Sequence, residues 1–171
     1  LYLTGFEIAV REAKPLTIMT SYNEINGVYA HENKHLLQEI LRDEWGFDGF
    51  IVSDCGALGN LTSRKHYTAK DFIEAANLSL RAGIATNCGN TYNNPDVIKA
   101  AVDGKLDMEA LDDVCRDMLR VMFRQGLFEN NPCRPLNWDA PYPEWNTPEH
   151  KALARRTAQE SIVLLKNADN L

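Results

Sequence analysis

Phe50-Ile51-Val52-Ser53-Asp54-Cys55 is a short, continuously apolar run that stops at a carboxylate. A strand covered on both faces has this composition, because neither face can carry polar side chains. Leu16-Thr17-Ile18-Met19-Thr20 upstream is a second apolar, β-branched run, and Ile84-Ala85-Thr86-Asn87-Cys88 downstream is a weaker third. The three runs start near positions 16, 49 and 84, so they are separated by 33 and 35 residues. That is the length of a strand plus a helical crossover to a parallel neighbour.

The intervening residues supply the helices. Asn33 is placed as an N-cap, Leu36, Leu37, Ile40, Leu41 and Trp45 recur at helical spacing, and Gly46 supplies a stop. Phe72, Ile73, Ala76 and Leu80 share a face that ends at Gly83. Residues 95–103 and 107–125 form two more helices, the second with Leu111, Val114, Met118, Val121 and Met122 on one stripe and Gly126 at its end. Asn26-Gly27 marks a turn, and Thr4-Gly5-Phe6-Glu7 has the form of a capping box opening a helix to about Glu12. The fold class is α/β, and the pattern is a slice of a parallel sheet. A closed (β/α)8 barrel needs about 250 residues, so the expectation is a partial, TIM-like barrel whose earlier strands lie upstream. The chain opens without Met at Leu1 and closes at Leu171 in mid-motif, which points to a piece of a longer protein.

Composition limits the function classes. The 171 residues are 44% hydrophobic and 25% charged, ordinary globular usage rather than disorder or low complexity. Lys and Arg number 18 against 24 Asp and Glu, a net charge of −6, without the basic excess of a nucleic-acid binder. No apolar run reaches the roughly 18–20 residues of a membrane span, and four Cys are too few for a disulfide-stapled miniprotein. Five of the seven Pro fall between Pro132 and Pro148, among Asn130, Asn131, Asn137 and Asn146. Residues 129–147 therefore form a linker after a first unit over 1–128. Thr147-Pro148-Glu149 opens a new helix, and Ser161-Ile162-Val163-Leu164-Leu165-Lys166-Asn167 has the composition of a strand, so residues 148–171 begin a second domain.

Asp54 is the candidate for chemistry. In a parallel α/β sheet the C-terminal strand ends face the active site, where a carboxylate serves as nucleophile or general base. The other reading of the spacing is that Asp54 caps the following turn. Ser21-Tyr22-Asn23, Asn26-Gly27, Leu36-Leu37, Leu41-Arg42, Gly46-Phe47-Asp48-Gly49 and Ser53-Asp54, in that order, resemble the second half of the catalytic barrel of family 3 glycoside hydrolases. Ser161 to Asn167 resembles the entry to that family's α/β-sandwich domain. The resemblance implies a retaining, exo-acting β-glycosidase without metal or organic cofactor, acting on terminal non-reducing β-linked sugars of oligosaccharides or aryl β-glycosides. Asp54 matches the nucleophile, which forms a glycosyl-enzyme that water hydrolyses. Tyr22 matches a tyrosine lining the sugar site, Asn23 beside it either contacts sugar or holds the loop, and no residue of this chain matches the general acid/base. The family also implies a secreted or periplasmic parent.

Cys55 follows the nucleophile where glucosidases of the family usually carry Trp. Ser53-Asp54-Cys55 and Asn87-Cys88-Gly89 resemble the β-xylosidase branch, so a wall suited to a pentose is expected, with β-glucosidase as the alternative. One departure is Ala85, where the family usually has Asp. Cys55 and Cys88 end neighbouring strands, about 4.8 Å apart; a disulfide is geometrically feasible, and two free buried thiols are the plainer expectation. Cys115 belongs to a helix stripe, and Cys133 has no role.

A rival motif is His31-Glu32-Asn33-Lys34-His35, the H-E-x-x-H of zinc peptidases. That chemistry needs both imidazoles on one helical face, and His31 precedes the N-cap Asn33, so a loop followed by a helix start is expected instead. Asn60-Leu61-Thr62 and Asn77-Leu78-Ser79 match the N-glycosylation pattern. Trp45 and Trp138 are expected to pack, and Trp145 either packs or contacts sugar. A third possibility is a catalytically incomplete α/β piece. Open sheet edges and uncovered helix faces favour association, so an oligomer is among the expected states.

Overall fold

The computed structural model describes residues 1–63, 66–128 and 145–168. The chain divides into two units, Leu1–Asn131 and Pro132–Leu171.

The first unit is built on three parallel strands, β1 (Thr17–Met19), β4 (Phe50–Ser53) and β5 (Ile84–Asn87), in the order β1-β4-β5. Thr17 pairs with Phe50 and Met19 with Val52; on the other side Ile51 pairs with Ile84 and Ser53 with Asn87. The register shifts between Ile51 and Val52, which leaves Ala85 as the extra residue of a bulge in β5. The three apolar runs of the sequence are thus the three strands, and the spacing of about one crossover unit is what makes them parallel.

Between β1 and β4 the chain forms a two-residue hairpin, β2 (Glu24–Ile25) and β3 (Val28–Tyr29). Asn26 and Gly27 sit at φ +54° and +84°, the paired positive dihedrals of a type I′ turn, which these two residue types tolerate. His35–Glu44 then winds as a π-helix, with Trp45 N–H donating to the Ile40 carbonyl at 3.0 Å. Asn33 caps it as expected, its Oδ1 accepting from Leu36 N–H at 3.0 Å. Leu37, Leu41, Trp45, Phe47, Ile51, Leu58 and Ile84 form one apolar cluster, joined by Val10 and Ala82.

The second cluster lies among helices. α2 (Ala57–Asn60) follows β4, and α3 (Phe72–Ala82) leads into β5 through Gly83. Asp71 caps α3 by accepting from Glu74 N–H at 2.8 Å, while Glu74 reaches back to Lys70 N–H at 2.9 Å. α4 (Pro95–Val102) and α5 (Met108–Arg124) are capped by Asn94 and Asp107. Ala76, Leu80, Val97, Ala100, Leu106 and Val114 close this cluster, and Ala85 packs against it. An Asp in place of Ala85 would therefore meet an apolar helix layer here.

α5 is tied to the segment before β4 by charge. Arg42 meets Asp117 at 2.8 Å with both side chains largely buried, and Arg124 meets Asp48 at 2.7 Å. Arg42 also donates to the Gly49 carbonyl at 3.1 Å.

Two local expectations are corrected. Leu3 already has helical dihedrals, so α1 (Thr4–Ile8) includes Thr4 and no side-chain cap forms; Glu7 pairs instead with Arg11 at 2.8 Å, and the helix runs on as a π-helical segment, Ala9–Ala13. In the second unit α6 (Pro148–Ser161) forms with Thr147 as cap, its hydroxyl accepting from His150 N–H at 3.2 Å. Residues 162–167, expected within a strand over 161–167, form no strand, and Ile162, Val163, Leu164 and Leu165 are exposed. A strand needs a ladder partner, and α6 offers none. Most of the linker expected at 129–147, with Cys133 and Trp138, lies outside the described residues. Trp45 is buried and Trp145 exposed. Among the described residues no helix is long and apolar enough to cross a membrane.

The closest backbone approach in the sheet is at Gly49, where a Cβ would lie 2.1 Å from the Leu16 carbonyl oxygen. Backbone cannot yield as a flexible side chain does. Gly49→Ala is expected to destabilise the protein by about 1–3 kcal/mol, read as a lower denaturation midpoint. An unchanged midpoint would show that β1 and β4 can separate at no cost.

Candidate active site

Parallel strands deliver their C-terminal ends to one edge, and the chain places a different chemical group at each. After β1 comes Tyr22, after β4 Asp54 and Cys55, and after β5 Cys88. Ser53, 1% exposed, anchors the middle of this edge. Its hydroxyl donates to the Asp54 carbonyl at 3.0 Å and accepts from Cys88 N–H at 3.3 Å.

Asp54 is half-buried, and its Oδ1 accepts from Cys55 N–H at 2.6 Å. The N-cap of α2 is Gly56, which has no side-chain cap, so the carboxylate does not cap the helix that follows. A carboxylate is among the side chains that can form a covalent intermediate with an electrophilic carbon. Tyr22 is brought to it across the sheet edge. The Tyr22 hydroxyl donates to the Cys55 carbonyl, which places the phenol in the field of the Asp54 carboxylate. Partial desolvation, then the negative charge and hydrogen bond of Asp54, push the Tyr22 hydroxyl above its ordinary pKa. Asn23 does not join them. It is exposed, its Nδ2 donates to the Glu24 carbonyl at 3.0 Å, and its own carbonyl accepts from Ala30 N–H at 3.1 Å. Both bonds brace the loop that bears Tyr22.

Cys55 and Cys88 are joined in a disulfide, with Cα atoms 4.3 Å apart. This corrects the expectation of two free buried thiols; both residues are also exposed. The bulge at Ala85 sets the register at which Ser53 faces Asn87, so the residues that follow meet across the strand ends. The glycines after each cysteine make this possible. Gly89 has φ +153°, and a Cβ there would lie 3.3 Å from the Cα of Gly56. Neither the disulfide nor this glycine contact follows from periodicity; the signal was the repeated Cys-Gly at 55–56 and 88–89.

The H-E-x-x-H motif does not assemble a metal site. His31 is fully buried, whereas His35 is exposed on the π-helix and pairs with Glu39. The two imidazoles point into different environments because the helix begins between them. Among the described residues no group of three or more His, Cys, Asp or Glu is placed to hold a metal ion. Asn77 is engaged inside the fold, its Oδ1 accepting from Asp107 N–H at 2.7 Å.

Residues 1–121 match the Glycosyl hydrolase family 3 N terminal domain. The chain is 36% identical over 178 residues to a beta-xylosidase of Formosa agariphila, an overlap covering 100% of this chain and 24% of that protein. It is 40% identical over 156 residues to a periplasmic beta-glucosidase of Salmonella typhimurium, covering 88% of this chain and 20% of that one. Among solved structures, a family 3 exo-beta-xylosidase in complex with a xylobiose aziridine activity-based probe is 31% identical and superimposes with a TM-score of 0.72, covering 99% of this chain and 22% of that one. The chain thus spans about a quarter or less of the length of these relatives.

The electrostatic link between Tyr22 and Asp54 can be measured. In Asp54→Asn the carboxylate charge is gone, so the Tyr22 phenol is expected to titrate at lower pH than in the native protein, returning part of the way to its ordinary value. Ultraviolet difference titration, with Tyr22→Phe subtracted to isolate the residue, reads this shift. An unchanged Tyr22 titration would mean that the two groups do not interact.

Proposed function

The chain belongs to glycosyl hydrolase family 3, and on that premise we propose that it carries the nucleophile half of a retaining, exo-acting β-glycosidase site, with β-xylosides as the preferred substrates. The observation that carries the proposal is the placing of Asp54 at the end of β4, beside Tyr22 and the Cys55–Cys88 disulfide.

Asp54 attacks the anomeric carbon of a terminal β-linked sugar. The bond to the leaving oxygen breaks, a glycosyl-enzyme ester forms at Asp54, and water later cleaves that ester with net retention. The leaving oxygen must be protonated by a second carboxyl group about 5–5.5 Å from the first. No residue of this chain matches that acid, so it belongs to another part of the complete enzyme. Tyr22 lies against the nucleophile and lines the sugar site, its hydroxyl pushed above its ordinary pKa by desolvation and by the carboxylate beside it. Asn23 acts on sugar only through the loop that it braces.

The substrate preference rests on the disulfide. It stands at the end of β4 and β5, next to the reacting carboxylate, as a covalent wall of two sulfurs. A pentose lacks the hydroxymethyl arm of a hexose and needs less room on such a side. The β-glucosidase reading keeps support from relatives of that name at similar identity.

We assign residues 1–128 to the C-terminal part of the (β/α)8 catalytic barrel, 129–147 to a linker and 148–171 to the start of the α/β-sandwich domain. Oligosaccharides or aryl β-glycosides are the partners, without nucleic acid or cofactor. A periplasmic or secreted location fits a disulfide at the site, since such bonds persist in oxidising compartments.

In the complete enzyme, Asp54→Asn is expected to abolish nearly all turnover of an aryl β-xyloside while leaving the denaturation midpoint close to native. Full activity in that variant would remove Asp54 from the mechanism. The native enzyme is expected to favour aryl β-xyloside over aryl β-glucoside in kcat/KM by about tenfold to two-hundredfold, the discrimination that a pocket wall can supply. A glucoside preference would replace the xylosidase reading with the β-glucosidase one.

A further inference from the structure

His31 is left without a role by the failure of the zinc motif, yet its side chain is fully buried in a loop. Loops ordinarily keep imidazoles at the surface, so burial at this position has to be held by specific contacts. Three surround it. Nδ1 lies 3.4 Å from the Ser21 carbonyl oxygen. The ring is nearly parallel to those of Tyr29 and His66, at centroid distances of 6.1 and 5.4 Å, and Tyr29 and His66 stack on each other at 3.5 Å. Nε2 is buried with no hydrogen-bond partner among the described residues.

These contacts fix the ring's protonation state. A carbonyl oxygen only accepts, so Nδ1 carries the proton. A second proton at Nε2 would create a buried donor with no acceptor. The ring is therefore held as the neutral Nδ1–H tautomer.

The same contacts connect two loops of the site. Ser21 is the residue before Tyr22, so the His31 bond acts directly on the backbone that carries the phenol. His66 belongs to the loop that follows Asp54 and α2, whose backbone is pinned where Ala69 N–H donates to the Leu61 carbonyl at 3.0 Å. Tyr29 ends the hairpin between them. We propose that His31 is a positioning residue, a neutral imidazole that fastens the loop bearing Tyr22 to the loop that follows Asp54 and so keeps the phenol against the nucleophile. The proposal rests on the reading of Tyr22 and Asp54 as the sugar site.

The fastening is sensitive to acid. Burial pushes the His31 pKa below its ordinary value, the Ser21 carbonyl opposes the shift, and His66 adds to it. The other ionisable groups of the cluster are the Tyr29 phenol, which is desolvated and acted on by Glu24 and Glu32, and the Glu32 carboxyl, itself raised by burial against bonds to Thr68 and the Tyr29 backbone. With the folded pKa below the unfolded one, the unfolded loop binds more protons as pH falls. The fastening is then complete above about pH 6.5 and weakens as pH drops below that toward the folded value.

The test uses the complete enzyme and an aryl β-xyloside, with kcat/KM followed from about pH 5 to 8, the range of histidine titration. His31→Phe keeps a buried ring but loses the Nδ1 donor and the ionisation. His31→Asn places an amide donor near the Nδ1 position without the ionisation. At neutral pH His31→Phe is expected to lower kcat/KM about fivefold, the worth of one net hydrogen bond, and His31→Asn to recover more than half of that loss. Both variants lose one ionisation from the acid limb of the profile. In a Tyr22→Phe background the His31 change has no further effect, because its action passes through Tyr22. Should His31→Phe fail to fold, His31→Asn carries the same pH and double-mutant comparisons. A native-like rate and acid limb in the variants, or His31 and Tyr22 effects that simply multiply, would overturn the proposal. Asp54→Asn run alongside separates the two levels: if it stays active the site reading has failed, and if it is inactive while the His31 variants behave as native, only the role of His31 has.

Discussion

Parallel pairing of β4 with a neighbour on each side decides what meets at the sheet edge. Because β1, β4 and β5 run the same way, Tyr22, Asp54 and Cys88 leave the sheet together, although 66 positions separate the first from the last. Gly49 lets β4 start directly against Leu16, and the bulge at Ala85 sets how far β5 reaches past β4. With that register in place, the Ser53 hydroxyl can bind both Asp54 and Cys88, and the Cys55–Cys88 bond can close. The chemistry of the edge is a consequence of strand order and register more than of any one side chain.

The parts of the fold that rest on local periodicity were legible in the amino-acid sequence. The three strands, the helices α3, α4, α5 and α6, the Asn26-Gly27 turn and the Asn33 cap lie where spacing and capping chemistry put them. What was not legible depends on groups far apart in sequence. Thr4 has the right neighbours for a capping box, yet Leu3 is already helical, so the cap has nothing to do. Residues 162–167 have strand composition, yet they form no strand. The state of Cys55 and Cys88 turned on a one-residue bulge that no propensity announces. At the site, Asp54 was legible as a carboxylate ending an apolar run, whereas the bracing role of Asn23 and the burial of His31 emerged only from tertiary contacts.

The site is held together from both sides. The disulfide and the Gly56–Gly89 contact clamp the β4 and β5 ends covalently and sterically. The aromatic and imidazole stack of Tyr29, His31 and His66 clamps the β1 and β4 loops by packing. Asp54 and Tyr22 sit between these two fastenings, with the Tyr22 hydroxyl bonded to the Cys55 carbonyl. Such rigid placement is what the proposed glycosyl transfer, with Asp54 as nucleophile and Tyr22 beside the sugar, would require.

The central claim is that Asp54 forms the covalent bond to the sugar. The direct measurement is to react the complete enzyme with an activated 2-deoxy-2-fluoro-β-xyloside, which slows release of the glycosyl-enzyme, and to locate the added mass by peptide mass spectrometry. The account predicts one fluoroxylosyl group per active site, on the peptide containing Ser53-Asp54-Cys55 and attached at Asp54. Attachment to any other carboxylate, with the Asp54 peptide unmodified, would contradict it.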